Sequence, residues 1–248
     1  MRPPLASRRL VGLYGSGGVL GAAISGTLFW ARLPWLAALA AWGAAALLVL
    51  AVLYLRATAG DDPARALRSG WTAVAYRLGL LPYRLLQYAW IVVRRLQARE
   101  PAMQAIGERI VLGGRALWWD CAAVRRLGIG ASVDLAAELP EAPCVLRAVG
   151  ERYFAAPALD GGAPPDATFD AAVVHAVEWA NQGTRVLVHC ALGHGRSALV
   201  AAAALVALGE VPDVDAAVAR LRTHRPTVHL HGHQRAALDR WAARVSKA

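Results

Sequence analysis

The sequence predicts an α/β domain that follows a helical hairpin crossing a membrane. Two runs, Leu10 to Trp30 and Leu33 to Leu55, contain no charged residue, and each is long enough to span the hydrocarbon core as a helix. From about Glu108 onward, strand patterns alternate with helix patterns, which is typical of α/β proteins. We therefore expect the chain to contain both a membrane-spanning helical hairpin and an α/β domain.

The connection between the two apolar runs is very short. It contains Ala31-Arg32 and is followed closely by Pro34, so the two helices are expected to lie side by side. Trp30 and Trp35 flank the turn, where interfacial aromatic side chains are expected. Small residues on the first helix favour close helix packing, and they are Gly15, Gly17, Gly18, Gly21 and Gly26.

Arginine residues predict how the hairpin is oriented. Basic residues lie on both sides of it (Arg2, Arg8 and Arg9 before, and Arg56, Arg65, Arg68 and Arg77 after), whereas the turn contains only Arg32. The positive-inside rule then predicts a two-helix membrane protein with both ends, and the α/β domain, in the cytoplasm. The alternative is a cleaved signal peptide, which the immediately following second run disfavours.

A basic connector over residues 57–107 is expected to lie at the membrane surface. Within it, Leu81, Leu85, Ala89, Val92 and Leu96 recur at helical spacing, and most arginines lie off this stripe, as in an amphipathic interfacial helix. The alternative is a third crossing over residues 70–93. It would bury two arginines and would move the following domain to the other side of the membrane.

Composition narrows the class of partner. The chain has 27 Lys and Arg against 17 Asp and Glu, a formal charge of +10, and a mean hydropathy of +0.38. Such a balance fits nucleic acid, anionic lipid or an anionic substrate. No zinc-finger spacing or aromatic-basic RNA signature is present, and basic charge beside a membrane segment favours membrane lipids over nucleic acid as the partner. The alternative is that the charge reflects only a composition rich in Ala and Arg.

Three cysteines are too few for a disulfide framework and suit a reducing compartment. Cys121 and Cys144 are expected to be buried thiols. The alternative is that one of them protects Cys190 as a disulfide.

The domain, expected over residues 108–248, has a regular order of elements. The predicted strands are Arg109 to Leu112, Ala131 to Leu135, Cys144 to Val149, Tyr153 to Ala158 and Arg185 to His189. The predicted helices are Asp120 to Leu127, Asp166 or Thr168 to Asn181, Ser197 to Leu208, Asp213 to Arg222, and His233 to Val245.

The segment from Val186 to Ser197 has the order strand, glycine-rich loop, helix. That order makes an anion site, since loop N–H groups and the helix N-terminus converge on one point. Gly193 and Gly195 are expected to supply the positive φ values that such a loop needs. Cys190 begins the loop, where its thiolate would be stabilised. Arg196 ends it, and its planar guanidinium can hold two phosphoryl oxygens at once.

His189-Cys190, five residues and Arg196-Ser197 resemble the His-Cys-x5-Arg-Ser/Thr signature of the protein tyrosine and dual-specificity phosphatases. The resemblance covers about Glu108 to Ala243. It implies a dual-specificity-phosphatase-like central sheet flanked by helices and a hydrolysis that uses neither a metal nor another cofactor.

The resemblance also implies a general acid on a loop some thirty residues before the cysteine. Asp160, which follows the extended Tyr153 to Ala158 segment, lies at that place. Asp166 and Asp170 are rivals, although a helix cap and a first-turn position explain them better.

The family's two-step mechanism assigns a role to each residue of the motif. Cys190 is the expected nucleophile, Asp160 the acid and then the base, and Arg196 the phosphoryl clamp. Ser197 assists departure of the thiolate, and His189 positions the cysteine. The expected phosphate-binding residues are Ala191, Leu192, Gly193, His194, Gly195 and Arg196.

Two substrate classes stay open at this point: a phosphoprotein carrying phosphorylated Tyr, Ser or Thr, and a phospholipid headgroup. The alternative function is a catalytically inactive phosphate-binding module. His229, His231 and His233 alternate as in some metal sites, but an extended solvated loop is the preferred interpretation.

Overall fold

The computed structural model describes residues 5–58 and 78–246, without the side chains of residues 5–8, 58 and 98. The chain divides into two compact units, Met1–Trp90 and Ile91–Ala248. Residues 59–77 lie outside the described part, and with them lies the first portion of the possible third crossing.

The first unit contains the predicted helical hairpin. Helix α1 spans Leu5–Trp30 and helix α2 spans Pro34–Thr58. A Cβ atom added at Gly18 would lie 2.6 Å from Leu48 Cγ, and one at Gly21 would lie 3.1 Å from Ala44 Cβ. These glycines therefore allow the two helices to approach closely, and Gly17 also faces α2. Gly15 and Gly26, in contrast, meet no neighbouring atom within 4 Å.

Length and composition single out two described helices that could cross a membrane. They are Arg9–Trp30 and Pro34–Ala57. Helix α3, which spans Leu81–Ala98, is not among them. It is amphipathic as predicted, and Leu85, Ala89 and Leu96 of its apolar stripe are exposed to solvent.

A five-stranded sheet forms the centre of the second unit. Its strands are β1 (Met103–Ala105), β2 (Ile110–Gly113), β3 (Ile129–Ala136), β4 (Tyr153–Ala158) and β5 (Arg185–His189). The spatial order is β1-β2-β5-β3-β4, with β1 antiparallel to β2 and all other pairs parallel. Parallel strands buried on both faces read as continuous apolar runs, as Val186 to Val188 does. The α/β class is confirmed.

Helices cover both faces of this sheet. They are α4 (Cys121–Arg126), α5 (Pro143–Val149), α6 (Asp166–Asn181), α7 (Arg196–Ala207), α8 (Val214–His224) and α9 (Gly232–Val245). Ile110 and Leu112 of β2 face the core shared with α6 to α9, while Val111 between them faces α4 and α5. The period of two along a strand thus builds a core on each side.

The prediction of a strand at Cys144 to Val149 is wrong, because these residues form helix α5. Pro143 is at its first turn, where the fixed φ of proline favours a helix and no N–H is needed. Strand β1 was not predicted. It has three residues and is defined only by its pairing with β2.

The expectation that Cys121 and Cys144 are free thiols is also wrong. The two cysteines are joined by a disulfide, with Cα atoms 5.7 Å apart, and Cys190 is the free cysteine among the described residues. Helices α4 and α5 pack side by side on one face of the sheet, and this brings the two Cα atoms into the range that a disulfide requires.

Candidate active site

The loop that begins with Cys190 lies at the carboxyl edge of the sheet. Strand β5 ends at His189 and helix α7 begins at Arg196, so the predicted strand, loop and helix follow in that order. β5 lies between two parallel neighbours, β2 and β3, whose carboxyl ends flank the loop. Ligands commonly bind at this edge of open α/β sheets.

Glycines fit the loop closely against the neighbouring strand end. Gly193 has φ +85°, and a Cβ atom there would lie 2.6 Å from the carbonyl carbon of Gly113. Similarly, a Cβ at Gly114 would lie 2.9 Å from the oxygen of Ala191. Gly195 differs from expectation, since its φ is −122°. Glycine suits this position for a steric reason, because a Cβ atom here would lie only 3.0 Å from Gln234 Oε1.

The Cys190 thiol is buried within the loop. Its Sγ lies 3.2 Å from the Gly193 N–H nitrogen, which donates to it, and 3.4 Å from Ser197 Oγ. Burial alone would raise the pKa of Cys190. The Arg196 guanidinium and the hydrogen bonds from Ser197 and Gly193 outweigh burial and hold that pKa below its usual value.

Arg196 is held in place by a carboxylate that the sequence analysis did not identify. Its Nη1 and Nη2 donate to Glu138 Oε2 and Oε1 at 2.9 and 2.8 Å, and Nη1 also donates to the Ala158 carbonyl at 2.8 Å. Both partners are buried. Burial alone would lower the pKa of Arg196. The negative charges of Glu138 and Asp160 outweigh burial and hold that pKa above its usual value. The guanidinium therefore stays charged and fixed beside the thiol.

Asp160 lies at the rim of the same site. Its Oδ1 is 3.1 Å from Arg196 Nη2, while 59% of its side chain remains exposed. Helix α9 fixes the loop that carries it, because Gln234 Nε2 donates to the Gly162 carbonyl at 2.8 Å and the His233 imidazole contacts the Gly161 carbonyl.

The rival aspartates lie elsewhere. Asp166 is the first residue of α6 and is not its cap, since Pro165 occupies that position. It pairs with Arg240 at 3.0 Å and Arg244 at 3.3 Å, and Asp170 also pairs with Arg244. The structure thus brings Asp160, and neither rival, to Arg196.

Beneath the loop, His189 belongs to a buried ionic cluster. Its Nε2 lies 2.6 Å from Glu141 Oε2. Arg115, fully buried, donates to Asp134 Oδ1 at 2.9 Å and to Glu141 Oε1 at 2.6 Å, and Tyr153 donates to Asp134 Oδ2 at 2.9 Å. Burial would raise the pKa of Glu141, but His189 and Arg115 lower it. The cluster anchors the residue that precedes the cysteine.

Within the described ranges, one group of three side chains has its donor atoms close enough to hold a metal ion, namely Asp134, Glu141 and His189. Arg115 already supplies a cation to both carboxylates. A divalent ion beside a buried guanidinium would be opposed by charge repulsion, so this group fits an ionic anchor better than a metal centre.

The outer side of the loop is held by Arg225. It donates from Nη2 to the Leu192 carbonyl at 3.0 Å and contacts Glu100 at 3.3 Å. His194 Nε2 lies 3.2 Å from the same carboxylate. Burial, followed by Arg225, lowers the pKa of His194 to about 4. His194 is therefore neutral near pH 7, and Arg196 is the cation of the loop.

The cavity above Cys190 opens between α3, the Asp160 loop and the start of α9. Side chains at its mouth include Arg94, Asp160, Thr227, His229 and His231. The rings of His229 and His231 are 5.2 Å apart, and those of His231 and His233 are 6.0 Å apart. The three histidines thus form a rim of imidazoles at the entrance.

Residues 112–243, more than half of the chain, match the family model described as the dual specificity phosphatase catalytic domain. The chain belongs to this family. Among curated proteins, none matches the sequence.

Solved dual-specificity and tyrosine phosphatases have the same fold. A structure of PTPMT1 in complex with PI(5)P has a TM-score of 0.54 and 19% identity, and covers 59% of this chain and 98% of that one. Tk-PTP in its active form has a TM-score of 0.52 and 25% identity, and the match covers 58% of this chain and 98% of that one. Human DUSP28 has a TM-score of 0.52 and 18% identity, and the match covers 59% of this chain and 97% of that one.

Proposed function

We propose that this protein hydrolyses phosphate monoesters through a covalent phosphocysteine. The observation that carries the proposal is the grouping of three side chains in one cavity: a thiol with a lowered pKa at Cys190, the fixed guanidinium of Arg196, and the carboxylate of Asp160 at the mouth. A nucleophile, an anion clamp and a proton donor are what such a hydrolysis requires.

In the first step the Cys190 thiolate attacks phosphorus, and an S–P bond forms as the P–O bond to the leaving group breaks. Asp160 gives its proton to the departing oxygen. In the second step Asp160 takes a proton from water, whose oxygen attacks phosphorus. The S–P bond breaks, inorganic phosphate leaves, and the thiolate re-forms with help from the Ser197 hydroxyl, 3.4 Å away.

The transferring phosphoryl group is held by the loop that follows Cys190. Arg196 neutralises its oxygens, and the backbone N–H groups of residues 191–196 are assigned as the remaining donors. Glu138 acts through Arg196 and does not touch the phosphate itself. It fixes the plane of the guanidinium that contacts the phosphate. His189 positions the loop from below through the ionic cluster.

The alternative is a phosphate-binding module without catalysis. It requires that the cysteine, arginine or aspartate be missing or displaced. All three are present, and Asp160 lies within 3.1 Å of Arg196, so turnover is the better-supported function.

For the substrate we favour a phospholipid headgroup over a phosphoprotein. Arg94 of α3, a helix that follows two candidate membrane spans, lines the cavity mouth and can attract an anionic headgroup. One structure with this fold was solved with PI(5)P bound. The neutral His194 and the absence of Lys from the loop argue for a headgroup of low charge.

The test is turnover by the purified full chain on a panel of phospholipid monoesters in mixed micelles and phosphopeptides carrying Tyr, Ser or Thr phosphate. A kcat/KM at least tenfold higher for a phospholipid supports the lipid assignment. A preference for peptides overturns it and leaves the phosphatase mechanism intact. Hydrolysis of neither class, by a preparation that binds vanadate, supports the inactive module.

For the location we propose a two-helix membrane anchor with the catalytic domain in the cytoplasm. The arginines on both sides of the hairpin support this orientation. The Cys121–Cys144 disulfide is the opposing observation, because disulfides persist mainly in oxidising compartments.

A further inference from the structure

A pair of exposed tryptophans lies on the surface of the catalytic unit. Trp118 is 81% exposed and Trp119 is 49% exposed, and their rings meet edge to face with centroids 5.2 Å apart. Neither belongs to the catalytic site described above. Two adjacent large aromatic rings in water lose the favourable burial that tryptophan normally obtains. Their exposure on an ordered turn calls for a partner.

The turn that carries the tryptophans is held rigidly. Asp120 Oδ2 accepts from the Leu117 N–H at 2.7 Å and from Arg95 Nη1 at 2.6 Å. Arg95 also contacts the Arg115 carbonyl, so the last turns of α3 and the tryptophan turn form one fixed surface. The Cys121–Cys144 disulfide, which begins one residue after the turn, ties it to α5. The ring pair is therefore presented by a stiff support.

The helix that follows the pair carries basic residues. Arg125 and Arg126 of α4 are exposed, whereas the acidic Asp120 is already paired with Arg95. We call Trp118, Trp119, Arg125 and Arg126 the tryptophan patch. Its charge is positive.

We propose that the tryptophan patch docks the catalytic unit on the surface of a bilayer containing anionic lipids, with the two indole rings in the headgroup region. Tryptophan is enriched at membrane interfaces because its ring is apolar and its N–H is a hydrogen-bond donor. Arginines beside it attract anionic headgroups at about 1 kcal/mol each. In the chain, the patch follows two candidate membrane spans, so a bilayer is an available partner.

The consequence is an orientation of the active site. Arg94 lines the cavity, Arg95 holds the tryptophan turn, and both belong to α3. Docking through the patch would therefore restrict how the cavity can be oriented relative to the bilayer. This inference concerns contact with the bilayer and does not depend on which substrate is hydrolysed.

The test uses the full chain reconstituted into phosphatidylcholine vesicles with and without phosphatidylglycerol. Trp118→Cys is labelled with an environment-sensitive fluorophore in a Cys190→Ser background, which removes the reactive thiol. The matched control is Val174→Cys, because Val174 is 51% exposed on α6, on the opposite face of the sheet. Nitroxide-labelled lipids report how close each fluorophore lies to the bilayer.

We expect blue-shifted emission and several-fold stronger nitroxide quenching at position 118 than at position 174. Arg125→Gln with Arg126→Gln should weaken the preference for phosphatidylglycerol vesicles by about fivefold for each arginine removed. Equal quenching at the two positions overturns the proposal. A blue shift that depends on protein concentration and not on lipid also overturns it, since it would place a second copy of the chain on the patch.

Discussion

Glu138 grips the guanidinium of Arg196 through two parallel hydrogen bonds of 2.8 and 2.9 Å, both buried. Such a fork fixes the plane of a guanidinium as well as its position. The side chain that we propose as the phosphoryl clamp is thus oriented before any substrate enters. Preorganised charge of this kind lowers the barrier because it needs no rearrangement in the transition state.

Glu138→Gln should lower kcat and weaken vanadate binding. The amide keeps one acceptor oxygen and turns an NH2 donor toward the other guanidinium N–H, so one hydrogen bond is lost. A hydrogen bond to a charged group contributes about 1.5–3 kcal/mol, or roughly 10- to 150-fold. The control is Glu178→Gln, since the Glu178 side chain is 58% exposed on α6. Steady-state kinetics and vanadate titration make the comparison. If Glu138→Gln has the wild-type kcat and the wild-type affinity for vanadate, this carboxylate does not position Arg196.

Asp160→Asn should produce a loss that depends on the leaving group. An alkyl phosphate needs protonation of its leaving oxygen and should lose about 10²- to 10⁴-fold, the usual contribution of general acid catalysis. A nitrophenyl phosphate, whose leaving group departs unaided, should lose distinctly less. The control is Asp166→Asn, which affects only the surface ion pairs with Arg240 and Arg244. It should hydrolyse both substrates at the wild-type rate. Equal losses on both substrates would reject Asp160 as the acid.

Ser197→Ala should move the acidic limb of the kcat/KM profile to higher pH. The Ser197 hydrogen bond helps to lower the pKa of Cys190, so removing it raises that pKa and leaves less thiolate at a given acidic pH. Ser246→Ala, at the exposed end of α9, is the control. An unmoved limb would mean that Ser197 does not stabilise the thiolate.

Reporter fusions after Ala57 and after Glu100 should both report the cytoplasm, because arginines precede and follow the hairpin. A periplasmic signal after Glu100, together with an oxidised Cys121–Cys144 pair, would reverse the orientation and support a third crossing within residues 70–93.

The sequence predicted the parts of the site that are local in the chain. Cys190, the loop glycine Gly193 and Arg196 lie within seven consecutive residues, and the strand and helix around them follow from short-range patterns. Asp160 was predicted from its place in the family and not from any physical pattern around it. Its position next to Arg196 agrees with that assignment.

The missed features depend on contacts between distant segments. Glu138 is 58 residues from Arg196, and Arg115 is 26 residues from Glu141, so no local pattern pairs them. The helix at Pro143–Val149 was mistaken for a strand because a short apolar run has no period that separates the two. The Cys121–Cys144 bond likewise arises only once α4 and α5 pack together.

The central claim is that the phosphoryl group passes through Cys190, and trapping that intermediate tests it most directly. The full chain is mixed with an aryl phosphate, quenched in acid within milliseconds and digested, and the peptide containing Cys190 is analysed by mass spectrometry. We predict one phosphoryl group on Cys190 in the wild type and a higher occupancy in Asp160→Asn, in which hydrolysis of the intermediate lacks its base. Cys190→Ser should show no phosphocysteine and almost no turnover. Full turnover by that variant, or a wild-type enzyme that releases phosphate while no phosphocysteine is ever trapped, would contradict the mechanism.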